Sequence, residues 1–327
     1  MGQHTFPRTL RYTSDDVLTF LGDVLGDYDD EVRCDAAPLT YLMPVGICCL
    51  ASVCDDLHRR GQRVYFDNLA PHLDAFMERM DVFEHCHVEH DRTRVRRDHS
   101  DALLEVRRLD SEADVPDAAR RLAATMTGHI MRGVRDEEDP EHMHAKPSEH
   151  LTSMLRYVLV ELLENALTHA RGVGYARSSV WVASTFYRKA REVRLAFVDN
   201  GCGFLNALRN HPQVRHSPSH RGAIQAALKP YVSGNPAVGI LDSSSNQGIG
   251  LTISRDIAVA SGGYVRITSG SASVRHGAAP ERGMAHPVPW QGAVIDARLR
   301  RDDLLNVDLA KIAAAYQIGP KPKITFE

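Results

Sequence analysis

The sequence predicts an α+β protein of two domains, and three features predict it. Strand-like and helix-like segments alternate over about the first 95 residues. A charged connector, Asp91 to Asp101, interrupts that pattern. A long amphipathic helix then leads into paired strands, a second helix and two more strands. The 327 residues suffice for two ordinary cores. The expected units are a small α/β domain over residues 1–95 and a larger domain over residues 96–327.

In the first unit, Thr13 to Asp16 are cap-type residues. Val17, Leu18, Leu21, Val24 and Leu25 follow at helical spacing. Glu31 to Ala36 reads as a strand. Pro44 suits the first turn of a helix that stops at Gly61. Gln62 to Asn68 is a second strand, and Pro71 opens a short helix to Met80. "VFEHCHVEH", Val82 to His90, reads as a further strand.

In the second unit, "ALLEVRRL" (Ala102 to Leu109) reads as a strand and Val115 to Val134 as a helix. Arg135 to His150 is acidic, proline-bearing and loop-like. A helix over Ser148 to Arg171 buries Leu151, Leu155, Leu159, Leu162 and Ala166 on one face. Ser178 to Gly201 reads as two strands joined by a charged turn. Val193, Leu195 and Phe197 alternate as in a half-buried sheet. Phe204 to Gln247 looks irregular. A helix starts near Gly250, and Tyr264–Gly270 and Gly292–Arg300 are late strands.

Composition excludes some functions. The net charge of -3 gives no global attraction to nucleic acid or anionic membrane. The longest apolar run, Tyr41 to Cys54, is too short to span a bilayer and contains Pro44. The first residues lack the apolar core of a signal peptide. Cys34, Cys48, Cys49, Cys54, Cys86 and Cys202 form no CxxC pair, so reduced thiols in a cytoplasm are expected.

Three stretches carry chemistry. In "VELLENALTHA" (Val160 to Ala170), Glu161, Asn165 and His169 recur every four residues and share one helix face. An acid and an amide oxygen one turn apart can hold a hydrated Mg²⁺, and the carboxylate can deprotonate a nucleophile. A solvent-facing helix edge explains the same stripe. In "FVDNGCGF" (Phe197 to Phe204), Asp199 ends a strand where it can accept from the exocyclic amine of a base. Gly201 and Gly203 permit close backbone approach. Alone this is also ordinary turn chemistry. It lacks the third glycine of a dinucleotide fingerprint and opens no clear helix. In "NQGIGLTISRDIAVASGG", Gly248 and Gly250 precede a helix whose free amides suit phosphate.

In order, these stretches read Glu-x-x-x-Asn on a helix, Asp-x-Gly-x-Gly after a strand, and Gly-x-Gly before a helix. The set resembles the GHKL ATPase superfamily, the ATP-binding fold of histidine-kinase-like, gyrase, HSP90 and MutL proteins. The likeness spans about residues 100 to 300. It implies a Bergerat-type sandwich, a mixed sheet covered by helices on one face. It implies that Asn165 ligates the Mg²⁺ of bound ATP and that Glu161 is the general base. Asp199 corresponds to the acid reading the adenine amino group, Gly201 and Gly203 to the base pocket, and Gly248 and Gly250 to the phosphate site. His169 takes a supporting role. The segment from Gly203 to Gly248 corresponds to the ATP lid.

The chain departs from the pattern in two places. Asn246 stands where many relatives carry glycine, and Ala293 where they often carry a threonine that helps hold the adenine acid. Modest nucleotide affinity is the expectation. A phosphoacceptor role for His129 is disfavoured, and an ordinary, partly exposed histidine is expected. The compact arrangement resembles the anti-sigma-factor kinase or stand-alone branch. Residues 31–68 are similar to STAS-like domains, whose antagonist members carry a phosphorylatable Ser or Thr at a helix start. Here that place reads Met43-Pro44-Val45-Gly46, with Thr40 nearby, so a docking domain is expected. His85, His87 and Glu89 would share a strand face, but no complementary cluster makes a zinc site.

The resulting expectation is a cytoplasmic protein that binds Mg-ATP and uses hydrolysis or phosphoryl transfer to regulate a protein partner. The alternative is a nucleotide-gated interaction module with negligible turnover. Neither nucleic acid nor membrane is an expected partner, and a homodimer is left open.

Overall fold

The computed structural model describes residues 2–11, 14–88, 103–134, 136, 146–171, 174–232, 249–277 and 282–316. The first half contains β1 (Gly2–Thr5), β2 (Thr9–Leu10), α1 (Asp15–Leu25), β3 (Glu31–Asp35) and β4 (Tyr41–Leu42). It continues with α2 (Pro44–Arg59), β5 (Arg63–Asp67), α3 (Pro71–Arg79) and α4 (Val82–His85). β1, β3 and β5 form a parallel sheet in that order, and β2 pairs with β4. α1 lies between β1 and β3 in the chain and α2 between β3 and β5, and the two helices pack against each other.

The second half contains β6 (Leu103–Leu109), α5 (Val115–Ile130), α6 (Pro147–Ala170), β7 (Val180–Tyr187), β8 (Glu192–Asp199), α7 (Gly203–Ala207) and α8 (His220–Ala227). α9 (Gly250–Ala260), β9 (Tyr264–Gly277), β10 (Arg282–Arg300), α10 (Arg301–Leu304) and α11 (Leu309–Ala314) follow. The sheet order is β6-β7-β8-β10-β9, and every pair is antiparallel. This corrects the mixed sheet expected from the resemblance. The β7–β8 and β9–β10 links, residues 188–191 and 278–281, are too short for parallel crossovers.

The large sheet is also covered on both faces, not one. Val180, Val182, Leu195, Phe197, Ile267 and Ile295 face the core shared with α5, α6 and α9. Trp181, Ala183, Ala196, Val198, Trp290 and Val294 share a second core with α1 and α2. A sheet buried on both faces reads as continuous apolar runs. Val180–Ala183 and Leu195–Val198 are such runs, so the half-buried reading of Val193, Leu195 and Phe197 captured one face alone. α2 has the matching property: every residue from Pro44 to Asp55 is buried. A helix apolar all round must be covered on all sides. β5 covers α2 on one side, β7 and β8 on the other.

Other expectations need correction. Val82–His85 is helical, not a strand. Val82, Phe83 and Cys86 point into the core at helical spacing, and the Cys86 amide donates to the Val82 carbonyl. His85 Nε2 bonds the Val106 carbonyl at 2.8 Å, whereas His87 Nε2 lies 3.5 Å from Asp55, so the two do not share a strand face. Glu89 lies outside the described residues. His129 is 1% exposed, stacked on Phe186 with centroids 4.2 Å apart, because α5 packs against the sheet there. The stretch after Phe204 is less irregular than expected, since it contains α8. A short helix, α7, does open directly at Gly203. β9 and β10 extend well beyond the two late strands anticipated, and β1, β2 and β4 were not anticipated. All six cysteines are buried free thiols. Among the described residues no helix is long and apolar enough to cross a membrane.

Candidate functional site

Asp199 ends β8 in the middle of the sheet, with Val180 on one side and Ala293 on the other. Its Oδ1 accepts from the Gly201 amide at 2.9 Å. Burial pushes its pKa up to about 7, against the lowering effect of main-chain hydrogen bonds from Gly201 and Ala293. The residue is 7% exposed.

The turn after Asp199 is held from several sides. The Cys202 amide donates to the Ala170 carbonyl at the end of α6. A Cβ on Gly201 would collide with the main chain of Ala170, so only glycine fits. Gly203 has φ of 70°, in the left-handed region. Ser269 Oγ accepts from the Phe204 amide at 3.1 Å and donates to the Gly292 carbonyl at 2.7 Å. Trp290 Nε1 donates to the Asp199 carbonyl at 3.2 Å. Gly292, with φ of 91°, lies so near that a Cβ would sit 2.6 Å from Asp199 Oδ1.

α6 supplies the opposite wall. Its helical period places Leu162, Asn165 and Ala166 on one surface. That surface faces Asp199, Gly203 and Phe204 across a cavity of about 690 Å³, including the part open to solvent. Leu251 at the start of α9 and Ile295 on β10 complete the lining. Glu161 lies one turn before Asn165. It is 3% exposed, which excludes the reading of a solvent-facing helix edge. Burial, then the nearby Glu164 carboxylate, push its pKa up to about 7. Glu161 Oε2 is buried without a hydrogen-bond partner among the described residues. Gly250 packs against this pair: a Cβ there would sit 3.1 Å from both Asn165 Nδ2 and Glu161 Cβ.

The fold therefore brings Asn165, Asp199 and Gly203 onto one cavity, with Glu161, Gly201 and Gly250 directly behind its walls. Gly248 and Asn246 lie outside the described residues. Residue 169 is in the last turn of α6, and its side chain lies outside them too. Sequence reasoning missed the apolar walls, Leu162, Phe204, Leu208 and Ile295, and the supports Ser269, Trp290 and Gly292. The signal for Gly292 was present: a glycine inside a strand pattern marks close backbone approach.

Residues 151–285 match the family model of the histidine kinase-, DNA gyrase B-, and HSP90-like ATPase. The match runs from α6 into β10 and so contains Asn165, Asp199, Gly203 and Gly250. It supports GHKL-type ATP binding by this ATPase-like segment. No curated protein and no solved structure matches the chain.

The residues fit the groups that such a segment takes. Apolar walls with one acceptor at the end, Asp199, suit a purine bearing an exocyclic amine. Asn165 on the cavity wall offers a neutral amide oxygen of the kind a hydrated hard cation takes, and one helical turn earlier Glu161 keeps a buried, unpartnered Oε2.

Proposed function

We propose that the chain is an ATP-dependent regulator of a protein partner in the cytoplasm. The convergence of Asn165, Asp199 and Gly203 on one apolar cavity, with the buried and unpartnered Glu161 Oε2 one helical turn away, carries this reading. In it, Asp199 accepts from the adenine amino group while Gly201 and Ala293 amides hold its carboxyl in place. Leu162, Phe204 and Ile295 sandwich the base and exclude water. Asn165, on the cavity wall, would hold Mg²⁺. Mg²⁺ supplies neutralisation of the triphosphate charge. Glu161, one helical turn earlier, takes the proton from the attacking water or hydroxyl. A carboxyl with a pKa near 7 is poised for that transfer. The free amides at the start of α9 would take the phosphates.

The finer assignment belongs to the same proposal: a member of the anti-sigma-factor kinase or stand-alone branch, with the first 95 residues acting as a STAS-like docking unit. The parallel β1-β3-β5 sheet with its crossover helices supports an α/β unit there. The test is ATP binding and phosphate release by the purified chain, with and without Mg²⁺, beside Asp199→Asn. Mg²⁺-dependent binding with slow release, both lost in the variant, is expected. A folded chain that binds no ATP overturns the reading.

One observation favours a second reading, an ATP-gated interaction module with negligible turnover. Glu161 is buried and does not itself line the cavity. Tight binding with no phosphate release or transfer in the presence of partner would select this module.

A further inference from the structure

We propose that the base pocket is braced from the N-terminal half of the chain, with Asp56 on α2 a positioning residue for Asp199 that acts through Asn200. The proposal rests on the ATP reading above and adds a regulatory connection to it.

Asn200 follows the base-reading acid but does not line the base cavity. It lines a second cleft on the seam behind it, of about 380 Å³ including the part open to solvent, with Leu21, Val53, Asp56 and Trp290. Three hydrogen bonds fix it there. Its Nδ2 donates to Asp56 Oδ1 at 3.0 Å. Its Oδ1 accepts from the Ser179 amide at 3.0 Å, and its carbonyl accepts from Gln291 Nε2 at 3.2 Å. The Asp199 carbonyl is held by Trp290 Nε1 from the same side. The turn carrying the acid is thus pinned from behind, and Asp56 is the member of this set that comes from α2.

Asp56 sits in an unfavourable place for a carboxylate. Burial raises its pKa, the Asn200 bond opposes that, Asp55 raises it further, and Arg59 and Arg60 lower it. A half-buried acid in a seam lined by Leu21 and Val53 is a costly way to fill space, and its observed bond is to the residue beside Asp199. A shift of α2 against the large sheet would move Asn200 and, through one peptide unit, Asp199. Anything bound to the N-terminal half that shifts α2 then changes base affinity. Bound nucleotide reciprocally changes affinity for that ligand.

The experiment measures ATP and GTP affinities of the full chain by calorimetry. Asp56→Ala should weaken ATP binding about tenfold and narrow the preference for ATP over GTP, because Asp199 loses its fixed position. Asp56→Asn keeps an acceptor for Asn200 and should restore most of both. Asn200→Asp keeps the acceptor for Ser179, loses the donor to Asp56, and should reproduce the loss even where Asp56→Ala fails to fold. ATP affinity within about twofold of the parent in folded Asp56→Ala and Asn200→Asp overturns the proposal. Equal weakening of ATP and GTP, or no rescue by Asp56→Asn, also overturns it, leaving Asp56 a structural support. A folded parent that binds no adenine nucleotide overturns the ATP reading itself, a result distinct from unchanged variants of a binding parent.

Discussion

Gly201 lies against the carbonyl of Ala170, so the turn that carries Asp199 and the helix that carries Asn165 meet without room for a side chain. The contact sets the width of the cavity between them. Gly201→Ala must push the end of α6 away from the turn. We expect a loss of about 2 kcal/mol or more in stability, comparable with other overpacked sites, together with loss of nucleotide binding. Chemical denaturation beside calorimetry checks both. A variant of parental stability and affinity would show that the contact is slack.

Glu161→Gln should leave ATP binding within about threefold of the parent and cut turnover by ~10²–10⁴-fold, the usual worth of a general base. Single-turnover assays separate the two quantities. Undiminished turnover would remove Glu161 from the mechanism.

The pH dependence follows from the same two acids. Glu161 and Asp199 both have values of about 7 in the folded chain, above the usual carboxyl range. Turnover and ATP affinity should therefore rise as pH increases from about 6 to 8, as the base and the acceptor ionise. Stability should move the other way. A raised folded value means the folded chain binds protons more tightly than the unfolded chain, so stability grows as pH falls from about 8 towards 5. Glu161→Gln removes one buried charge and should raise stability at pH 8 by on the order of 2 kcal/mol. Denaturation at pH 6 and pH 8 reads this directly, and equal stability of parent and variant at both would exclude an ionised, buried Glu161.

Trp181 is fully buried on the sheet face that meets α1 and α2. Trp181→Ala should cost about 3–5 kcal/mol. Because the second core joins both halves, one cooperative calorimetric transition is expected in the parent. Two separate transitions would mean the seam contributes little.

His286 makes a related seam contact. Its Nδ1 lies 2.8 Å from Asp15 Oδ1 on α1, and its Nε2 lies 2.7 Å from Ser273 Oγ on β9. His286 and Ser273 are buried, Ser273 is shared with Thr268, and Asp15 is exposed at the outer end, so the set reads as a latch between α1 and the β9–β10 pair. His286→Ala should destabilise the chain by about 1–3 kcal/mol through loss of the buried imidazole's bonds to Ser273 and Asp15, with nucleotide affinity changed far less. Denaturation and calorimetry on the same sample check the separation.

Much of this was legible in the chain. The periodicity of Leu151 to Leu167 specified α6, and the four-residue spacing put Glu161 and Asn165 on one face, because helix geometry is local. Asp199 at the end of an apolar run, followed by Gly201 and Gly203, was readable for the same reason. Tertiary structure alone decided how those pieces meet. Val193, Leu195 and Phe197 could not report that Ala196 and Val198 face a second core, since that core is built from α1 and α2, far away in sequence. Val82 to His85 followed helical contacts with the core in place of a strand pattern. Ser269, Trp290, Gly292 and Asp56 have no motif, because their roles consist of hydrogen bonds and close approaches across strands and between halves. Local geometry fixes which atoms one element presents. Burial and pairing between distant elements decide which of them become a site.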